Sequence, residues 1–136
     1  QNCAYCMEGE LVAKFGIKIC ELETSKVYLF KEQSHPGRCI VAHKKHVGDM
    51  NELTAEERAA YFEDVARVAR AIMKAFNPDK VNYGAYGDTG HHLHFHLCPK
   101  YKDEYEWGGV FLMNPDKKYL TDEEYAAMIE KIKANL

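Results

Sequence analysis

Between residues 90 and 101 the chain alternates: His92, His94 and His96 take every second place, with Leu93, Phe95 and Leu97 between them. A period of two is that of a half-buried strand, whose successive side chains point to opposite faces. One face of this strand is core and the other is a row of imidazoles. At about 3.3 Å per residue, neighbouring histidines in the row stand about 6–7 Å apart, so two or three of them can reach one phosphate or one metal ion.

Shorter runs of strand character come earlier. Residues 17–22 alternate, Thr24, Ser25 and Lys26 form a turn, and 27–31 resume the strand, which predicts a hairpin. Residues 33–37, Gln-Ser-His-Pro-Gly, break the pattern, and 38–42 restore it with β-forming residues, so three strands make an antiparallel meander. The period then changes. Thr54-Ala-Glu-Glu57 is a capping box, and Phe62, Val65, Ala69, Ile72, Met73 and Phe76 recur at helical spacing until Asn77-Pro78. Residues 80–86 read as a strand joined to the histidine strand by a tight turn at 87–90. Trp107 to Met113 predicts one more short strand, and Thr121-Asp-Glu-Glu124 caps a C-terminal helix with Tyr125, Met128, Ile129 and Ile132 on one face. The sum is an α+β fold: about five antiparallel strands, one long helix and one terminal helix.

Composition narrows the function classes. At 136 residues the chain predicts a single domain over 1–136, and 46% hydrophobic with 29% charged residues is ordinary for a globular fold. A net charge of −3 gives no broad attraction to a nucleic-acid polymer, so phosphate recognition has to be local. No apolar run is long enough for a membrane helix, and no leader pattern opens the sequence, which makes the cytoplasm the expected compartment. Of five cysteines, Cys20, Cys39 and Cys98 lie in apolar runs as small hydrophobes. Cys3 and Cys6 form a two-residue-spaced pair that suits a metal, a redox couple or a disulfide, or is a frayed terminus whose thiols do nothing.

A histidine row beside a Gly-rich turn suits phosphoryl chemistry. Neutral imidazole is a good nucleophile near pH 7, since its ordinary pKa is about 6.5. Attack on phosphorus gives a labile phosphoramidate and splits one hard displacement into two easier ones. The residues alone also allow three solvated histidines, or a structural zinc row without catalysis.

The run His92-Leu93-His94-Phe95-His96-Leu97-Cys98 resembles the His-apolar-His-apolar-His-apolar-apolar signature of the histidine triad (HIT) superfamily of nucleotide hydrolases and transferases. The resemblance continues through Gly37 to His46 with its Lys44-Lys45-His46, through Met50 to Thr54 ahead of the long helix, and through Asn82-Tyr83-Gly84. Two places depart from the family: His43 stands where Pro is frequent, and Gly87-Asp88-Thr89-Gly90-His91 replaces a Gly-Gln-Ser-Val-like turn.

The resemblance implies a HIT-like fold and an enzyme acting on the α-phosphate of a nucleotide anhydride, ester or amidate. His94 would be the nucleophile, forming a nucleotidyl-histidine, and His96 would bind phosphate oxygens or help protonate the leaving group. Asp88 and Thr89 would contact phosphate; Asn82 and Gln33 are further candidates for the nucleotide, with Glu32 or Gln33 near the ribose and Ile19, Tyr28 and Phe30 near the base, all of which serve equally as sheet core. The implied cofactor is a structural zinc on Cys3, Cys6, His46 and His92, the first triad histidine, which is also counted with His94 and His96 in the catalytic row; His43 and His91 are substitutes for His46 or His92. His35 is expected on a surface loop. A homodimer is implied, as is the rival possibility of a nucleotide-binding protein that keeps zinc and turns over poorly.

Overall fold

The computed structural model describes residues 3–136. Two four-residue helical turns, α1 (Ala4–Met7) and α2 (Glu10–Ala13), lead into β1 (Gly16–Glu21), β2 (Ser25–Phe30) and β3 (Cys39–His43). The long helix α3 (Ala55–Phe76) follows, then β4 (Lys80–Gly84), β5 (His94–Lys100) and the terminal helix α4 (Asp122–Ala134). One five-stranded sheet results, in the order β1-β2-β3-β5-β4, with every neighbouring pair antiparallel. The α+β expectation of five antiparallel strands with a long and a terminal helix holds.

Both capping boxes form. Thr54 accepts from the Glu57 amide while the Glu57 carboxylate accepts from the Thr54 amide, and Thr121 and Glu124 repeat the exchange. Asn77 closes α3 in the left-handed conformation ahead of Pro78. The buried stripe of α3 runs through Tyr61, Val65, Val68 and Ile72, while Phe62 and Met73 are 37% and 40% exposed. The apolar pattern had included both. Ala69 is buried as that pattern expects, and Ala71 and Ala75 are buried in addition, because close approach to the sheet favours small side chains there.

The sheet has two unlike faces. Val27, Leu29, Val41 and Leu97 pack on α3 and α4, together with Tyr61, Val65, Ile72 and Ile132. The opposite face carries Tyr28, Phe30, Ile40 and Ala42, covered by Tyr5 and Val12 of the N-terminal turns. In the β3–β5 register Ala42 lies opposite His94 and Ile40 opposite His96, so these imidazoles stand on the second face. Alternation has sorted β5 as its period demands, with Leu97 in the helical core.

Three local expectations are corrected. The connection between β4 and β5 spans residues 85–93, longer than a tight turn, and His92 precedes the strand. Residues 101–113 form successive turns with no strand, because Lys100 donates through Nζ to the carbonyls of Glu106 and Gly109 and folds the segment back on itself. His35, expected on a surface loop, is buried: its Nε2 meets Glu106 Oε1 at 2.6 Å and its ring lies against Tyr105. Among the described residues, no helix is long and apolar enough to cross a membrane.

Candidate active site

His94 and His96 stand on the Tyr5 side of β5 with ring centroids 5.4 Å apart. The His94 Nδ1–H donates to the carbonyl of His92 at 2.7 Å. That bond puts the ring proton on Nδ1 and leaves Nε2 with a free lone pair. Burial holds His94 below the ordinary histidine range, so the ring is neutral near pH 7. Tyr5 packs on it at 5.1 Å between centroids. His96 is 2% exposed, and its Nδ1 lies 3.1 Å from Nη2 of Arg38.

These rings line a cavity of about 1120 Å³, whose walls include Tyr5, Phe30, Tyr86, Phe111 and the 88–91 turn. The volume is above the usual range for small-ligand pockets. Asp88 and Thr89 are exposed on its wall, as is His91. Phe30 and Glu32 also line it, though Glu32 already accepts from the amides of Ser34, Lys117 and Lys118 and from the Ser34 hydroxyl. Gln33 and Asn82 are not among the lining residues. The Gln33 amide is spent on its own loop, donating to Phe30 O and accepting from the Gly37 amide. Ile19 belongs to the helix-side core and Tyr28 to the sheet core under Tyr5.

Gly84 pairs with His96 across the β4–β5 ladder. A Cβ there would come within 2.6 Å of the Tyr86 ring and 2.9 Å of Phe111, so only glycine lets these two aromatics close over His96.

A second cluster adjoins the row. Cys3 Sγ, Cys6 Sγ, His46 Nδ1 and His92 Nδ1 all lie within 4.8 Å of one another. Individual separations are 3.1 Å for Cys3 to His92, 3.2 Å for Cys6 to His46 and 3.0 Å between the two imidazole nitrogens. His92 Nε2 donates to the carbonyl of His43 at 2.6 Å, so its Nδ1 carries the lone pair turned toward the thiols. Two sulfurs and two such nitrogens form a donor set that suits tetrahedral zinc. Both thiols are free. The proposed substitutes sit elsewhere: His43 packs on Tyr61 and accepts the Lys45 amide on Nδ1, and His91 lies 6.2 Å from the His46 ring.

Several side chains of the site carry no local sequence signal. Arg38 is wholly buried, donating to the carbonyls of Leu112 and Met113 as well as to His96. The 101–113 segment is pinned by Tyr101 on Pro36 O, by Lys100 and by the His35–Glu106 pair, and it delivers Phe111 to His96. Tyr5, between the two cysteines, was equally silent.

Comparison with known proteins decides the family. The family model for the HIT domain matches residues 16–103, which hold β1 to β5 and the histidine row. The chain belongs to the HIT family. This HIT chain is 26% identical to the adenosine 5'-monophosphoramidase of Schizosaccharomyces pombe, over 99% of its own length and 98% of that protein. A histidine triad protein from Sinorhizobium meliloti superposes with a TM-score of 0.86 at 24% identity, covering 94% of this chain and 95% of the other. A zinc-bound histidine triad family protein from Mycobacterium smegmatis gives 0.69 at 21% identity, covering 98% and 94%.

Proposed function

We propose that this protein is a nucleotide hydrolase or nucleotidyltransferase in which His94 forms a covalent nucleotidyl intermediate. The observation that carries the proposal is the bond from His94 Nδ1 to the His92 carbonyl, which leaves Nε2 free on a buried, neutral ring lining the cavity. The fission yeast relative named as an adenosine monophosphoramidase supports the substrate class.

In the first step His94 Nε2 attacks the α-phosphorus, a P–N bond forms, and the bond to the leaving group breaks with its electron pair going to that group. The imidazole becomes cationic, and the His92 carbonyl stabilises the remaining Nδ1–H. Water or a second acceptor then attacks phosphorus, the P–N bond returns its pair to Nε2, and the acceptor's proton is released. His96 and the polar turn at Asp88 and Thr89 contact the phosphate oxygens. Cys3, Cys6, His46 and His92 would hold zinc, which ties the N-terminal turn and Tyr5 to the row and supplies no reacting group. The protein works as a single domain and a homodimer in the cytoplasm; the unpaired edges of β1 and β4 support pairing with a second copy.

The test is intact-protein mass spectrometry after rapid quenching with adenosine phosphoramidate and with diadenosine polyphosphates. A nucleotidyl adduct on the wild type that is absent from His94→Ala is the expected result. Saturable AMP binding with neither adduct nor turnover would replace the enzyme by a nucleotide-binding protein of the same fold.

A further inference from the structure

Arg38 is 0% exposed, yet no carboxylate is among its hydrogen-bond partners. A guanidinium buried without a counterion is costly, so the groups it touches define what it is for. Nη1 donates to Leu112 O at 3.0 Å, Nη2 to Met113 O at 2.9 Å and to His96 Nδ1 at 3.1 Å, and Nε has no partner. The plane is gripped between the rings of Phe30 and Phe111, at 4.1 and 4.8 Å from their centroids.

A guanidinium has donors only. Its contact with His96 therefore has a single polarity, in which Nδ1 is bare and accepts. The one proton of neutral His96 then sits on Nε2. Protonating His96 would set two N–H groups and two positive charges against each other in a buried space.

We propose that Arg38 is a positioning residue that locks His96 as the neutral Nε2–H tautomer, so that His96 donates a hydrogen bond to a phosphate oxygen and does not deliver a proton to the leaving group. The inference rests on nucleotidyl transfer at His94. An anhydride's leaving group departs as a stable phosphate anion and needs no proton from His96, whereas an alkoxide or amine takes its proton from water.

The groups facing His96 agree. His94 stands beside it on β5, Tyr86 reaches it from the loop after β4 at 6.5 Å between centroids, and Phe30 and Phe111 complete the wall without charge. Cys98, Glu32, Glu106 and Tyr86 act on Arg38 through their charge without hydrogen-bonding to it. Burial first, then the Arg38 charge and His94, push His96 down to about 3.

The experiment is two-dimensional NMR of the full chain labelled with ¹⁵N-histidine, which reads ring tautomers and their titration without requiring turnover. In the wild type, His96 is expected to show a bare Nδ1 and a protonated Nε2, unchanged from about pH 8 to about pH 5, well below the ordinary histidine midpoint. Arg38→Met should free the tautomer, with proton density appearing on Nδ1, and Arg38→Lys, which keeps a donor beside Nδ1, should hold the proton on Nε2. A wild-type His96 that carries its proton on Nδ1, or titrates inside the window, would overturn the proposal, as would the two variants behaving alike. Should Arg38→Met not fold, the wild-type spectrum still decides. Because these signals do not depend on an adduct, failure here and failure of covalent catalysis are separable.

Discussion

Adding zinc to metal-free protein should raise its melting temperature, and replacing Cys6 should abolish the rise. A tetrahedral zinc with bonds of about 2.3 Å to sulfur and about 2.05 Å to nitrogen needs its donors about 3.3–3.8 Å apart. Four of the six donor pairs, including Cys6 to His92 at 3.5 Å, stand at 3.0–3.5 Å and all six lie within 4.8 Å, so shifts of about an ångström complete the sphere. Binding to the folded state alone stabilises by about 4 kcal/mol when free zinc is 1,000 times Kd. With an unfolding entropy of about 2.1 cal/mol/K per residue over 136 residues, that is a rise of about 14 °C. Cys6 is exposed, so Cys6→Ser removes a ligand while costing the metal-free fold about 0.5 kcal/mol or less. Differential scanning fluorimetry with and without zinc, paired with metal analysis of the purified protein, makes the measurement. An equal rise in wild type and Cys6→Ser, or none in either, would refute the four-residue site.

Two predictions concern stability. His96 is pushed down to about 3, against about 6.5 in an unfolded chain; unfolding therefore takes up a proton between those values, and stability falls as pH drops through that window by about 1.4 kcal/mol per unit. Urea titrations at stepped pH should show a shallower acid slope in His96→Gln, and unchanged slopes would refute the assignment. Asp64, buried on α3, accepts on one oxygen from the Thr24 amide at 2.9 Å and from the Thr24 and Ser25 hydroxyls at 2.7 Å each; Asp64→Ala should cost about 3 kcal/mol and lower Tm by about 10 °C, checked by calorimetry.

What could be read from the chain was what local chemistry determines. The period of residues 92–97 sorted histidines from leucines before any partner strand was known, and the two capping boxes needed four residues each. Cys3, Cys6, His46 and His92 were grouped through family resemblance, since nothing local joins residues up to 89 apart. The silent residues share one property: their meaning lies in partners distant in sequence. Arg38 meets His96 58 positions later, and His35 meets Glu106 71 positions later. A His before Pro in a polar loop looks solvated until the 101–113 segment folds over it. Gln33 shows the opposite case: a polar residue that looks available in the sequence has its amide consumed by carbonyls and an amide within five residues.

His92 joins the two halves of the site. Its Nδ1 faces the thiols, its Nε2 holds the His43 carbonyl, and its own carbonyl takes the His94 proton donor. A ligand on Nδ1 therefore acts one peptide unit from the group that orients the proposed nucleophile. Tyr5 supplies a second link, since its ring contacts both His92 and His94 at centroid distances of 5.4 and 5.1 Å. The helical turn carrying Tyr5 is only four residues long and cannot hold itself. Cys3 at the N-cap of that turn and Cys6 within it, set against His92 and His46, give it an anchor, so the geometry of the His94 ring and the order of the N-terminal turn depend on one set of four side chains.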